Sequence, residues 1–226
     1  MLAAADLTAI AVTLKLAFVT TLILLVVATP LAWWLARSQW RFKFIIEAAI
    51  ALPLVLPPTV LGFYLLLLLS PSSAFGQLIT EMGLAPLAFS FTGLIIGSVI
   101  YSLPFMVQPL HNAFAAIGNK PLEVAATLGA SPVKAFIRVA LPLAKPGFVS
   151  GAVLSFAHTL GEFGVVLMIG GNIPGETRLA SIAVYEHVET LNYQGAHQLS
   201  LALLGLSFLL LTLAYISGKR SRIANL

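Results

Sequence analysis

Five long windows without charged side chains are the feature of this sequence that most limits its fold. They cover residues 16–36, the stretch between Glu47 and Glu81, the stretch between Glu81 and Lys120, a window that starts at Pro146 and is interrupted by Glu162, and residues 198–217. A helix needs about 20 apolar residues to cross a hydrocarbon core of about 30 Å. We therefore predict an all-α membrane protein with about five transmembrane helices in a single domain, residues 1–226.

The basic residues predict how the chain is oriented in the membrane. Ten of the twelve Lys and Arg residues follow the first, third and fifth windows, and only Lys15 and Arg178 fall on the other side. Because basic residues collect in cytoplasmic loops, the N-terminus is expected outside and the C-terminus in the cytoplasm. The segment before residue 15 has no Lys or Arg, unlike a cleavable signal peptide, so we expect the first span to be retained.

The composition excludes several other kinds of chemistry. A net charge of +4 spread over a chain that is 59% hydrophobic does not form the basic face of a nucleic-acid-binding protein. Zero cysteines exclude disulfides and thiolate sites. No segment has the spacing of a nucleotide-binding P-loop, and the four histidines have no metal-ligand spacing. We expect no catalytic residue, no metal site and no cofactor bound by this chain.

The cytoplasmic stretch of residues 118–145 is longer than a turn requires. Asn119 is a candidate N-cap and Gly129 a candidate helix stop, so a short helix is predicted between them. Ser131 followed by Pro132 predicts a second helix, which we expect to end at Leu141-Pro142. Such a pair of amphipathic helices could lie on lipid headgroups or dock into another protein, and these residues alone leave both open.

This stretch resembles the EAA loop of the membrane subunits of bacterial ABC importers. The resemblance rests on Glu123-Val124-Ala125, on a glycine six residues after the glutamate, and on Leu141-Pro142. It implies a type I importer permease fold and a homodimer that binds two cytoplasmic ATPase subunits, which use ATP and Mg²⁺. It assigns the contact with the ATPase to six residues, Glu123, Ala125, Ala126, Gly129, Ala130 and Pro142.

Three further segments resemble the permeases of molybdate importers. They are LPLVLPP at residues 52–58, LGEFG at residues 160–164 and GNIPGETR at residues 171–178. Sulfate and thiosulfate permeases share related versions, so the resemblance implies an oxyanion, with molybdate or tungstate first and sulfate as the alternative. It also implies that a periplasmic binding protein faces Asn172, Ile173, Pro174 and Gly175.

Polar and helix-breaking residues inside the windows are candidates for the pathway or its gate. Pro57 and Pro58 predict either a helix break beside the pathway or a cap at the cytoplasmic end of the second span. Hydroxyls such as those of Ser155 and Thr159 could line the path or bond their own helix. Other hydroxyl candidates are Thr59, Ser98, Ser102 and Ser150.

Glu162 is the one carboxylate well inside a window, and His158 precedes it by four residues. This spacing places both side chains on one helix face, so a His158–Glu162 pair is geometrically available and could neutralise the glutamate. A proton relay normally needs more than one buried acid, so a structural or gate-packing role is favoured for Glu162.

Two other classes of protein remain as alternatives. A secondary carrier or channel would need more intramembrane charges than Glu162 alone, or half-helix repeats. A membrane-embedded enzyme would need clustered His, Asp, Glu or Ser groups at one depth.

Overall fold

The computed structural model describes residues 2–223, with side chains through residue 212. Within this part the chain forms twelve α-helices and one π-helical turn. These are α1 Ala4–Arg37, α2 Lys43–Val55, α3 Pro58–Leu69, α4 Ala74–Glu81, α5 Phe91–Ile117, α6 Lys120–Thr127, α7 Pro132–Ala135, the π-turn Phe136–Ala140, α8 Leu141–Leu143, α9 Lys145–Leu160, α10 Gly164–Gly170, α11 Ala180–Glu189 and α12 Tyr193–Ile223.

Three single helices and two bent helix pairs are apolar enough to cross a membrane. The single helices are α1, α5 and α12, and the bent pairs are α2 with α3 and α7–α8 with α9. The described residues therefore form three spans, or up to five if each bent pair is one span. The predicted all-α fold with about five spans is confirmed. The side chains of the C-terminal basic residues Lys219, Arg220 and Arg222, which supported the predicted orientation, lie outside the described part.

The first helix begins twelve residues earlier than its charge-free window. Asp6 has only 3% of its surface exposed, because its carboxylate contacts His187 Nε2 of α11 at 3.0 Å. The same carboxylate accepts a 3.4 Å hydrogen bond from the Ala3 backbone N–H at the helix start. A charged residue can therefore lie inside this helix, which spans about 50 Å at 1.5 Å per residue.

The second span is broken in its middle by two prolines. Helices α2 and α3 meet at an angle of 112°, with Pro57 as the N-cap of α3 and Pro58 as its first residue. The pair of helices begins at Lys43, twelve residues before the end of α2 at Val55. Pro57 and Pro58 therefore lie at a break between two helices and also begin the second of them.

The fourth apolar window also contains a helix break, which lies after the bend between α8 and α9. Helix α9 ends at Leu160, residues 161–163 are not helical, and α10 begins at Gly164. Close packing joins the two breaks, because a Cβ atom on Gly164 would lie 2.8 Å from Pro58 Cβ. Gly62 extends this contact, since its Cβ would lie 2.8 Å from Met168 Cβ. The broken spans therefore pack α3 directly on α10.

The core lies between α1, α5 and α9. Phe114 of α5 is 1% exposed and packs edge-on against Trp33 of α1 and Phe148 of α9, with ring centroids 5.1 and 6.0 Å apart. A second apolar cluster joins Leu16 of α1, Leu94 of α5, Val166 of α10 and Ile182 of α11. Helix α12 packs on α9 and α11, and among its described side chains Leu204 and Phe208 are 67% and 71% exposed.

Candidate coupling loop and intramembrane site

The loop between α5 and α9 contains the helix pair that the sequence predicts. Helix α6 ends in a Schellman motif: Gly129 N–H donates to Ala126 O and Ala130 N–H donates to Ala125 O, both at 2.9 Å. Gly129 has φ +79°, in the left-handed region that a side chain disfavours. The predicted helix stop at Gly129 is confirmed, and its cause is this backbone conformation.

The loop presents apolar side chains without a partner among the described residues. Leu128 is 82% exposed, Val133 66% and Val124 58%. Glu123, Ala126 and Gly129 are also exposed, whereas Ala125 is buried against the loop itself. The predicted ATPase-contact residues therefore lie mostly on one accessible knob, with Ala125 inside it.

The second half of the loop continues further than predicted. The Ser131 side chain caps α7 by accepting a hydrogen bond from Lys134 N–H, as predicted. The expected end at Leu141-Pro142 is wrong, because helical structure runs through Pro142 to Leu143. Leu141 N–H bonds Phe136 O across the π-turn, and this shift in hydrogen-bond register accommodates a proline that has no N–H. Pro142 is exposed.

Asn119 occupies the predicted N-cap position, but the predicted capping hydrogen bond from its side chain is wrong. Asn119 precedes α6, but its side chain makes no cap and instead accepts a hydrogen bond from Arg37 Nη1. Arg37 Nη2 donates to Gly118 O at 3.3 Å, and the guanidinium carbon lies 4.7 Å from the centroid of the Trp33 ring. Nothing in the local sequence pairs residue 37 with residue 119, so sequence reasoning missed Arg37.

Polar side chains between α5 and α9 form two hydrogen-bonded sets at the break of the fourth span. Ser98 Oγ donates to Glu162 Oε2 at 2.8 Å, and Glu162 Oε1 is buried without a hydrogen-bond partner among the described residues. Ser102 Oγ lies 2.9 Å from His158 Nδ1 and 3.0 Å from Thr159 Oγ1. These contacts fasten α5 to the end of α9.

The His158–Glu162 pair that the spacing makes available does not form. His158 pairs with Ser102 and stacks on Phe105, with ring centroids 4.0 Å apart, while Glu162 pairs with Ser98. The reason is that α9 ends at Leu160, so the four-residue helical spacing does not reach Glu162.

The other hydroxyl candidates separate into buried and exposed groups. Ser155 and Thr159 are 0% exposed, and the Thr159 hydroxyl donates to Ser155 O at 2.9 Å. Both side chains are therefore buried between packed helices in this conformation. Thr59 and Ser150 are exposed, as are Pro57 and Pro58. The helix break in the second span is therefore accessible at the surface of a single chain.

A cavity of about 530 Å³ opens beside the break of the fourth span. Gly161 and Phe163 line it from the break, and three serine hydroxyls line it from α11 and α12, those of Ser181, Ser200 and Ser207. Ser181 Oγ also donates to Glu162 O at 2.6 Å, which links α11 to the break. Sequence reasoning missed these serines, although the seven-residue spacing of Ser200 and Ser207 marks one helix face.

The segment between α10 and α11 is held by side chains although it is not helical. Arg178 Nη2 and Asn172 Nδ2 both contact Glu186 Oε2, at 3.0 and 2.8 Å. Buried Thr177 donates to Gly170 O at 2.6 Å. Asn172, Ile173, Pro174 and Gly175 project as an exposed turn. Helix α11 begins directly after this segment, at Ala180.

On helix α11, a carboxylate neighbour changes the pKa of Tyr185. The Tyr185 hydroxyl donates to Glu189, and this hydrogen bond to a carboxylate, together with its negative charge, raises the pKa of Tyr185 above its usual value. No group of three or more His, Cys, Asp or Glu side chains that could hold a metal ion occurs within the described residues.

The fold and the exposed loop define a multi-pass membrane protein of the ABC importer permease class. The chain belongs to the family of binding-protein-dependent transport system inner membrane components, whose family model matches residues 28–223.

Curated relatives and a solved structure resemble the chain over most of its length. It is 57% identical to the molybdenum transport system permease protein ModB of Azotobacter vinelandii, over 95% of each chain. It is 32% identical to the sulfate transport system permease protein CysT of Salmonella typhimurium, over 88% of this chain and 72% of the relative. A bacterial alginate ABC transporter, solved with an alginate pentasaccharide-bound periplasmic protein, shares the fold with a TM-score of 0.75 at 18% identity, over 95% of this chain and 78% of that chain.

Proposed function

We propose that this chain is the permease subunit of an ATP-driven ABC importer for an oxyanion, with molybdate as the first candidate. Two copies form a homodimer in the bacterial inner membrane, and two cytoplasmic ATPase subunits supply the energy from ATP and Mg²⁺. The observation that carries the proposal is the exposed knob of residues 119–129, in a chain 57% identical to a molybdenum permease. The chain itself carries out no chemical reaction.

The geometry of the loop in residues 118–145 supports docking to an ATPase subunit over the alternative, in which the helix pair lies on lipid headgroups. Leu128 and Val124 are exposed beside a turn held by two backbone hydrogen bonds at Gly129. A rigid apolar knob of this kind can enter a cleft in another protein with little ordering cost. Glu123, Ala126, Gly129 and Ala130 form the contact in this proposal, with Ala125 and Pro142 supporting it.

The two helix breaks support a pathway at the interface between the copies. Backbone that is not helical is tolerated at membrane depth only where protein covers it or where it lines a cavity. Pro57 and Pro58 are exposed in the single chain, so a second copy would cover them. Ser155, Thr159 and Glu162 are buried at the adjacent break and would act as gate residues, reached only when the helices rearrange during alternating access.

The outer turn supports a docking site for a periplasmic binding protein. Asn172, Ile173, Pro174 and Gly175 project from it, while the Arg178–Glu186 pair holds its base. This assignment places the N-terminus outside and the C-terminus in the cytoplasm, in agreement with the distribution of basic residues.

The anion specificity is tested by ATP hydrolysis in liposomes that contain this chain, its partner ATPase and its binding protein. Molybdate, tungstate and sulfate are titrated separately. We expect stimulation by molybdate and tungstate. Stimulation by sulfate instead would favour the second candidate, a sulfate permease, which the 32% identity to CysT supports. No stimulation by any of the three in an assembled complex would contradict the oxyanion assignment.

The absence of cysteine makes the orientation directly measurable. Leu128→Cys and Ile173→Cys each introduce a single thiol at an exposed position, in the loop and in the outer turn. We expect a membrane-impermeant thiol reagent added to intact cells to label Ile173→Cys, and to label Leu128→Cys only after the membrane is opened. The reverse pattern would invert the proposed topology.

A further inference from the structure

Arg37 connects the end of α1 to the first residues of the loop. Its Nη1 donates to Asn119 Oδ1 and its Nη2 donates to Gly118 O at 3.3 Å. Gly118 has φ +66°, a conformation open to glycine and disfavoured for other residues, and it forms the joint between α5 and α6. One planar guanidinium thus holds both sides of this joint.

The side chain of Asn119 gives up its local role to make this contact. An Asn before a helix normally accepts a backbone N–H from the first turn, and α6 lacks that cap although Asn119 occupies the position. Its carbonyl oxygen bonds a residue 82 positions earlier in the chain. The Asn119 side chain could cap α6, but in the structure it bonds Arg37 instead.

The same end of α1 also holds the second half of the loop. Arg37 stacks over Trp33, and the Trp33 ring packs edge-on against Phe136 of the π-turn with centroids 4.9 Å apart. Trp33 also contacts Phe114 of α5 at 5.1 Å. Through these contacts, α1 reaches the residues just before α6, the π-turn that follows α7, and the core of the transmembrane bundle.

We propose that Arg37 is a positioning residue for energy coupling: it fixes the angle of α6 against α1, so that ATPase motion moves the transmembrane helices rather than the loop alone. This inference rests on the proposed docking of the ATPase to the loop. It requires that an Arg37 variant still binds the ATPase, but that the loop exchanges its backbone hydrogens faster and more ATP is hydrolysed per anion imported.

The first measurement is hydrogen exchange of the assembled complex in lipid nanodiscs. In Arg37→Gln we expect the backbone amides of residues 120–129 to exchange about tenfold faster, because a charge-assisted hydrogen bond that restrains the loop is gone. Arg41→Gln is the matched control, since Arg41 lies four residues away and contacts the exposed Phe42 ring. Unchanged exchange in Arg37→Gln, or an equal rise in the control, would overturn the proposal.

The second measurement is the number of ATP molecules hydrolysed per anion imported in proteoliposomes. We expect Arg37→Gln to retain the ATPase and its basal hydrolysis while the ATP cost per anion rises about tenfold. Arg37→Lys, which can bond one of the two acceptors, should fall between wild type and Arg37→Gln. Arg37→Gln combined with Asn119→Ala should be no worse than Arg37→Gln alone, because both remove the same bond.

The outcomes separate this inference from the proposed function. A wild-type complex that imports no anion would contradict the proposed function, while the exchange result would still report on the contact. A wild-type complex that couples, with an Arg37→Gln variant that couples equally well, would overturn the role of Arg37 alone. Loss of the ATPase from the Arg37→Gln complex would also overturn it, because Arg37 would then serve binding rather than positioning.

Discussion

At the scale of single residues, backbone conformation decides more than side-chain identity in the loop of residues 118–145. Gly129 has φ +79°, and no atom lies within 4 Å of where its Cβ would be, so the conformation alone requires glycine there. The sequence pattern predicts this residue because a glycine after an amphipathic run is a common helix stop. The role of Asn119 was not predictable, since its partner Arg37 is remote in sequence.

Gly129→Val should uncouple ATP hydrolysis from transport. A β-branched residue in the left-handed region costs about 1–2 kcal/mol, so the turn will open and the knob will lose its shape. Gly83→Val is the matched control, because Gly83 has φ +75° and the same open surroundings outside the loop. Anion-stimulated ATP hydrolysis should fall in Gly129→Val and persist in Gly83→Val; equal activity in both would contradict docking through this turn.

Glu162 should act through hydrogen bonding rather than through its charge. Ser98 Oγ donates to its carboxylate, and the carbonyl oxygen of a glutamine can accept the same bond. We expect Glu162→Gln to import anion, whereas Glu162→Ala leaves the Ser98 hydroxyl buried without a partner and lowers the free energy of unfolding by about 1–3 kcal/mol. Thermal unfolding in detergent and anion uptake measure the two effects. An assembled Glu162→Gln complex without uptake would indicate a titrating role instead.

At the scale of elements, the two broken spans are the part that sequence reasoning captured least completely. Apolar windows locate the spans because length and hydropathy are local properties of the chain. The prolines at residues 57 and 58 signal a break, yet the bend of 112° depends on how α3 packs against α10. Likewise, the π-turn before Pro142 depends on its hydrogen-bond register, which composition does not reveal.

Packing of α3 on α10 makes Gly62 sensitive to substitution. A Cβ at Gly62 would approach Met168 Cβ to 2.8 Å and Val165 Cα to 3.1 Å, so Gly62→Val should destabilise the protein by about 1–3 kcal/mol through overpacking. Gly205→Val on α12 is the control, because nothing lies within 4 Å of its Cβ position. A thermal unfolding midpoint lowered equally in both variants would show that the effect comes from loss of glycine rather than from this contact.

At the scale of the whole molecule, the sequence was sufficient for the fold class and the family because both depend on patterns along the chain. Five apolar windows predict the spans, and the residues around Glu123 and Gly129 predict the importer class. The sequence did not predict contacts between segments that are distant along the chain. Ser181 bonds the backbone of Glu162, and Arg37 bonds Asn119, and each contact exists only once the helices are packed.

The most direct test of the account is uptake of radiolabelled molybdate into proteoliposomes that contain this chain and the binding protein, with and without the ATPase and ATP. We predict accumulation above the external concentration only when the ATPase and hydrolysable ATP are both present. Uptake by the permease without the ATPase, driven by an ion gradient or running downhill, would contradict the account and assign the chain to the carriers or channels.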